Sequence, residues 1–127
     1  MRASRLVAIG MVALGVLLNA CKEPLAICNY NFVYGLTILV TDSATGSPLG
    51  GAETIVEIRE GTYVDTLLEL SGVGEYSGAG ERAGTYSVKV QRVGYRVRQI
   101  EGVRVREDEC HVIPVRVDVR LQAFSTF

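Results

Sequence analysis

The chain has no tryptophan, one histidine (His111), three prolines and three cysteines in 127 residues. Each scarcity excludes something. A single histidine cannot supply the two His and a Glu of a zinc carboxypeptidase centre. A Ser/His/Asp triad would have to use His111. There is no G-x-S-x-G elbow and no phosphate loop, and Gly78-Ala79-Gly80 reads as part of a glycine-rich loop from Gly78 to Gly84. No segment carries a helical hydrophobic period of useful length. The longest apolar run, Leu6 to Leu18, has 13 residues, against the about 20 that a helical membrane span needs. The sequence therefore predicts an all-β protein with no catalytic residues, no metal and no cofactor.

The N-terminus is the most informative segment present. Arg2 and Arg5 precede the apolar run, and small Ala20 precedes Cys21. This is the layout of a secretory signal with a cleavage site, and with the cysteine in that place it resembles a bacterial lipobox. The resemblance implies that residues 1–20 are removed and that Cys21 becomes the first mature residue, carrying lipid on its thiol and its amine. One acyl chain holds a protein only marginally, and two or more hold it firmly. Lys22 follows the cysteine. An Asp there would resemble an inner-membrane retention signal, whereas Lys resembles the default route to the outer membrane.

Cleavage would leave one domain's length of chain, with 11 basic residues against 14 acidic ones, net −3. That balance argues against a nucleic-acid binder. The charges are nevertheless segregated. Seven acidic residues and one basic lie between Glu53 and Glu81, and seven basic and one acidic between Arg82 and Arg106. Arg92, Arg96, Arg98, Arg104 and Arg106 are candidates for a basic face that meets lipid head groups, lipopolysaccharide or acidic glycan. The competing reading pairs the two blocks across neighbouring strands.

With Cys21 committed to lipid, Cys28 and Cys110 remain as a pair in an oxidising compartment, where disulfides persist. A bond between them would tie the tether to the start of the last strand. Metal binding by Cys28, Cys110 and His111 is the alternative, although adjacent Cys-His lacks the usual zinc spacing.

Residues 22–34 read as a tether, with Pro24 and Asn29-Tyr30-Asn31 and no clear period. Turn residues then punctuate the chain about every ten positions, the spacing of a sandwich or barrel. Seven strands are expected. Leu36, Ile38 and Val40 share a face of the first, and Val56 and Ile58 a face of the second. Val64, Thr66, Leu68 and Leu70 align in the third, and Glu75 to Ser77 form a short fourth. Tyr86, Val88 and Val90 alternate with polar residues in the fifth. The sixth breaks near Gly102, with Val103 and Val105 inward. In the seventh, Ile113, Val115, Val117, Val119 and Leu121 face in. Pro114 suits an edge or a strand start.

Four stretches together resemble the carboxypeptidase regulatory-like domain, a prealbumin-like, Greek-key sandwich. They are Gly35 to Leu49, with Thr41-Asp42-Ser43-Ala44-Thr45-Gly46; Gly80 to Tyr86; Gly94-Tyr95; and Cys110-His111-Val112 leading to a strand that ends at Leu121. The resemblance spans roughly residues 35–122, leaving a tail at 123–127. It implies that these motifs hold the fold and do no chemistry. The related transthyretin-like hydrolase of 5-hydroxyisourate uses several His, an Arg and a Tyr-Arg-Gly-Ser tail, which the ending Ala123-Phe124-Ser125-Thr126-Phe127 lacks.

Three functions fit these features. The first is a lipid-anchored binding or accessory module for a protein or a surface glycan. The second is a structural envelope lipoprotein without a specific ligand. The third is a small-ligand carrier of prealbumin type, which needs an oligomer, whereas the sequence reading favours a monomer.

Overall fold

The computed structural model describes residues 27–125. The signal segment, Cys21 and Lys22 lie outside the described residues. Nine strands follow one another: β1 (Tyr34–Asp42), β2 (Thr54–Glu60), β3 (Tyr63–Thr66), β4 (Leu68–Glu69), β5 (Glu75–Gly80), β6 (Gly84–Arg92), β7 (Arg98–Glu107), β8 (Val112–Ile113) and β9 (Val115–Leu121). They form two sheets, ordered β4-β5-β1-β9 and β3-β2-β6-β7-β8. The fold is an all-β sandwich. Every pairing is antiparallel except β1 with β9, which run parallel.

The alternation read in the sequence sets the core. Leu36, Ile38 and Val40 of β1, Val56 and Ile58 of β2, and Tyr86, Val88 and Val90 of β6 are all fully buried. Successive side chains of a strand point to opposite faces, so each apolar residue at period two lands between the sheets. Tyr86 sits inside because its hydroxyl donates to the Arg82 carbonyl at 2.8 Å, so no polar group is stranded. The break near Gly102 is a bulge. Tyr86 pairs with Val103 and Val88 with Ile100, so Ser87 faces two residues, Glu101 and Gly102. Gly102 takes φ +70° there, a conformation open to residues without a Cβ. Val103 and Val105 resume the inward face beyond it.

The expected seven strands become nine because two of them change sheets. The third divides at Leu67: β3 pairs with β2, and β4 pairs with β5 in the other sheet. Leu67 is buried at the crossing, its N–H bonded to the Val56 carbonyl at 2.8 Å, while Val64, Leu68 and Leu70 are exposed. The last strand divides at Pro114 in the same way, β8 pairing with β7 and β9 with β1. Parity shifts at the proline, so Val112 is buried and Ile113 faces solvent. Val115 and Val117 are part-buried and Val119 and Leu121 fully so. The short fourth strand runs on to Gly80, which shortens the expected loop to three residues before β6.

Candidate functional site

The tether is not loose where it is described. Cys28 and Cys110 form a disulfide, with Cα atoms 5.1 Å apart. This bond consumes both thiols and removes them as metal ligands. Among the described residues no group of three or more His, Cys, Asp or Glu could hold a metal ion.

From Cys28 the chain lies across the end of the sandwich as a strap leading into β1. Glu81, in the turn after β5, fastens it from both sides. Its N–H donates to the Val33 carbonyl at 2.9 Å, and its Oε1 accepts the Val33 N–H at 2.8 Å. Glu81 adopts φ +49° to do so, a conformation that L-residues other than Gly rarely hold. His111 then joins Glu81 to the strap. Its Nδ1 lies 2.8 Å from Glu81 Oε1, and its Nε2 lies 2.9 Å from Asn29 Oδ1. The Asn31 N–H also donates to Asn29 Oδ1, at 3.1 Å, which identifies that atom as the amide oxygen. The ring thus bridges Glu81 and the strap through its two nitrogens. The loop carrying His111 is shaped by Asp108, whose Oδ1 accepts the N–H groups of Cys110 and His111 at 2.8 and 2.9 Å.

Burial pushes the Glu81 carboxyl up, but the bonds from His111 and Val33 outweigh it and hold the group below its ordinary value. The backbone N–H groups of His111 and Cys110 hold Asp108 down likewise.

Strap and loop flank an open cleft of about 580 Å³, lined by Asn29, Tyr30, Asn31 and Phe32 on one side and by Glu107 to Val112 on the other, with Glu81 between. Tyr30 is fully exposed and Phe32 is 63% exposed. The cleft thus combines aromatic rings, two amides and carboxylates with one imidazole. The sequence alone places Asn29, Tyr30 and Asn31 in a tether without a clear period, and Glu81 in a stretch expected to hold the fold. The signal available was the density of Asn and Tyr around Cys28.

The structure does not gather the five arginines on one face. The Arg92 guanidinium is largely buried, donating to the Gly50 carbonyl at 2.8 Å and to Thr54 Oγ1 at 2.6 Å and pairing with Glu53 at 3.2 Å. Arg96 lies 5.5 Å from the Phe124 ring. Arg98 pairs with inward-facing Val90, at the rim of the inner face, whereas Arg104 and Arg106 pair with Thr85 and outward Ile113. The charge blocks meet across the strands instead: besides Arg92 with Glu53, Lys89 stands opposite Glu57, and Arg82 pairs with Glu60 at 3.2 Å.

No family model and no curated protein matches the chain. Among solved structures it is similar to a proposed carbohydrate-binding protein from Bacteroides uniformis, with a TM-score of 0.49 and 18% sequence identity. The match covers 70% of this chain and 42% of that one.

Proposed function

We propose that this chain is a lipid-anchored lipoprotein of the cell envelope, held at the outer membrane through Cys21, whose carboxypeptidase regulatory-like sandwich binds a glycan and performs no reaction. The observation that carries the reading is the cleft beneath Tyr30 and Phe32. An exposed aromatic ring beside amide and carboxylate groups suits a pyranose, whose C–H face stacks on the ring while its hydroxyls bond the polar side chains. Tyr30 and Phe32 supply the rings, and Asn29, Asn31 and the acidic loop supply the polar groups. The absence of catalysis is supported by His111, the one histidine. Both its nitrogens are engaged by Glu81 and Asn29, so it serves as a wall of the cleft and has no nitrogen left to act as a base.

Calorimetric titration of the purified full chain, in detergent, against neutral and acidic oligosaccharides tests the glycan reading. Saturable binding that Tyr30→Ala weakens is the expected result. If no member of the panel binds, the reading fails. The anchor is tested separately: Cys21→Ser should abolish fatty-acid labelling and release the protein from membranes, and retention would refute lipid attachment at Cys21.

A further inference from the structure

A second depression, of about 350 Å³, lies where β3 faces β5, and its lining includes Phe32, Tyr34, Tyr63, Asp65, Ser77 and Gly80. Phe32 lines both this groove and the cleft under the strap. We infer that the two form one continuous site, joined at Phe32, that takes a linear neutral oligosaccharide along the seam between the sheets. The inference rests on the glycan reading above.

The fold opens the seam at this place. β3 is the edge strand of its sheet, and the chain leaves it at Leu67 for β4, the edge of the other sheet. Gly80 lets the junction ring sit low, because a Cβ there would collide with the Phe32 ring. Phe32 meets Tyr34 edge to face, with centroids 5.0 Å apart, and shares the lining of the first compartment with Tyr30. Tyr63 is fixed beyond it, with Arg82 3.9 Å over its ring and Tyr86 against its edge. Its hydroxyl lies 3.4 Å from Asp65 Oδ2, which places a hydroxyl and a carboxylate at the far end. Each compartment therefore repeats one chemistry, aromatic surface beside hydrogen-bonding oxygens, as the successive units of one polymer require.

Charge selects the polymer. Glu81, Glu107, Asp108 and Glu109 line the first compartment and Asp65 the second, while Arg82, over the Tyr63 ring, is already paired with Glu60. Uronate, sulfate or phosphate groups would meet like charge in both.

The test is calorimetric titration of the full chain with neutral gluco-, manno-, xylo- and galacto-oligosaccharide ladders of about two to eight units, and with an oligogalacturonate ladder. On at least one neutral ladder, affinity should rise with length and then level off. Tyr63→Phe and Asp65→Ala, which leave the fold's buried residues in place, should each weaken the long members by roughly three- to tenfold and leave the disaccharide unchanged. Tyr30→Ala should weaken every length. If the disaccharide binds as tightly as the octamer, or the Tyr63 and Asp65 variants bind the long members normally, the joined site is overturned while the glycan reading stands. Equal or tighter binding of oligogalacturonate overturns the neutral selection. Failure of every ladder removes both readings together.

Discussion

The Tyr95 hydroxyl donates to Asp42 Oδ2 at 2.7 Å across 53 residues of sequence. Asp42 Oδ1 meanwhile accepts the N–H groups of Ala44 and Thr45 at 2.8 and 3.0 Å. One carboxylate thus shapes the turn after β1 and anchors the turn after β6. The Tyr95 hydroxyl and those two N–H groups hold its carboxyl below the ordinary value. A depressed folded pKa contributes stability above the unfolded value, which is lost as pH falls through the folded one. Tyr95→Phe should therefore lower the urea midpoint at neutral pH, and the difference from wild type should shrink as Asp42 is protonated. A constant difference down to pH 2 would show that the bond contributes through packing alone.

Glu69, on the edge strand β4 of the same sheet, makes a second clamp of this kind. Its Oε2 accepts the Gly51 N–H at 2.7 Å, and its Oε1 accepts the Gly74 N–H at 3.1 Å. Those bonds, with Gly51 the larger influence, hold its carboxyl down. Glu69→Ala leaves two backbone donors without this partner, and the Gly74 one is buried. Equilibrium unfolding should show a loss of about 1–3 kcal/mol. Glu69→Gln, which keeps one acceptor oxygen, should lose less. Equal losses would show that the bonds do not distinguish the two side chains.

The disulfide closes a loop of 82 residues' separation that contains β1 to β7. In the chain-entropy account a loop of that size contributes about 4 kcal/mol. Reduction should lower the unfolding temperature and, because Cys28 begins the strap, should weaken oligosaccharide binding at temperatures where the sandwich is still folded. Mass spectrometry after alkylation should count one bridge. Unchanged binding by the reduced, folded protein would separate the strap from the site.

The strand interiors were legible because their alternation is regular. Tyr86-Ser87-Val88-Lys89-Val90 states its own burial, and the Gly94 that follows β6 takes a positive φ (83°). The sheet changes at Leu67 and Pro114 were not, since period two continues in the sequence while the chain bends between layers. Val112 beside Ile113 shows why: both are apolar, and pairing with β7 decides which is buried. The charge blocks were legible as cross-strand pairing, because Glu57 stands opposite Lys89 in β2 and β6 and Glu53, just before β2, reaches Arg92. The cleft was not legible, because it joins Asn29, Glu81 and His111 from three distant segments. Nothing local in Glu81 announces that it stands at a positive φ with its carboxylate turned to the strap.

That carboxylate makes the sharpest prediction about the strap. Burial raises the Glu81 carboxyl, yet His111 and the Val33 N–H bring it below its ordinary value. Its contribution is therefore present above the unfolded carboxylate pKa and is lost as pH falls through the folded one. Protonation there breaks the ion pair with His111 while the β-ladders keep their backbone bonds. The strap should loosen before the sandwich unfolds, and hydrogen exchange should show it: relative to the intrinsic rate at each pH, the Asn31 and Val33 amides should lose protection in acid while β6 amides keep theirs. Glu81→Gln mimics the protonated state. It keeps an oxygen for Val33 and loses the charge facing His111, so at neutral pH it should speed exchange in the strap, weaken oligosaccharide binding and shift the global midpoint little. If strap and β6 amides instead accelerate together, the strap and the sandwich open as one unit, and Glu81 holds the whole fold.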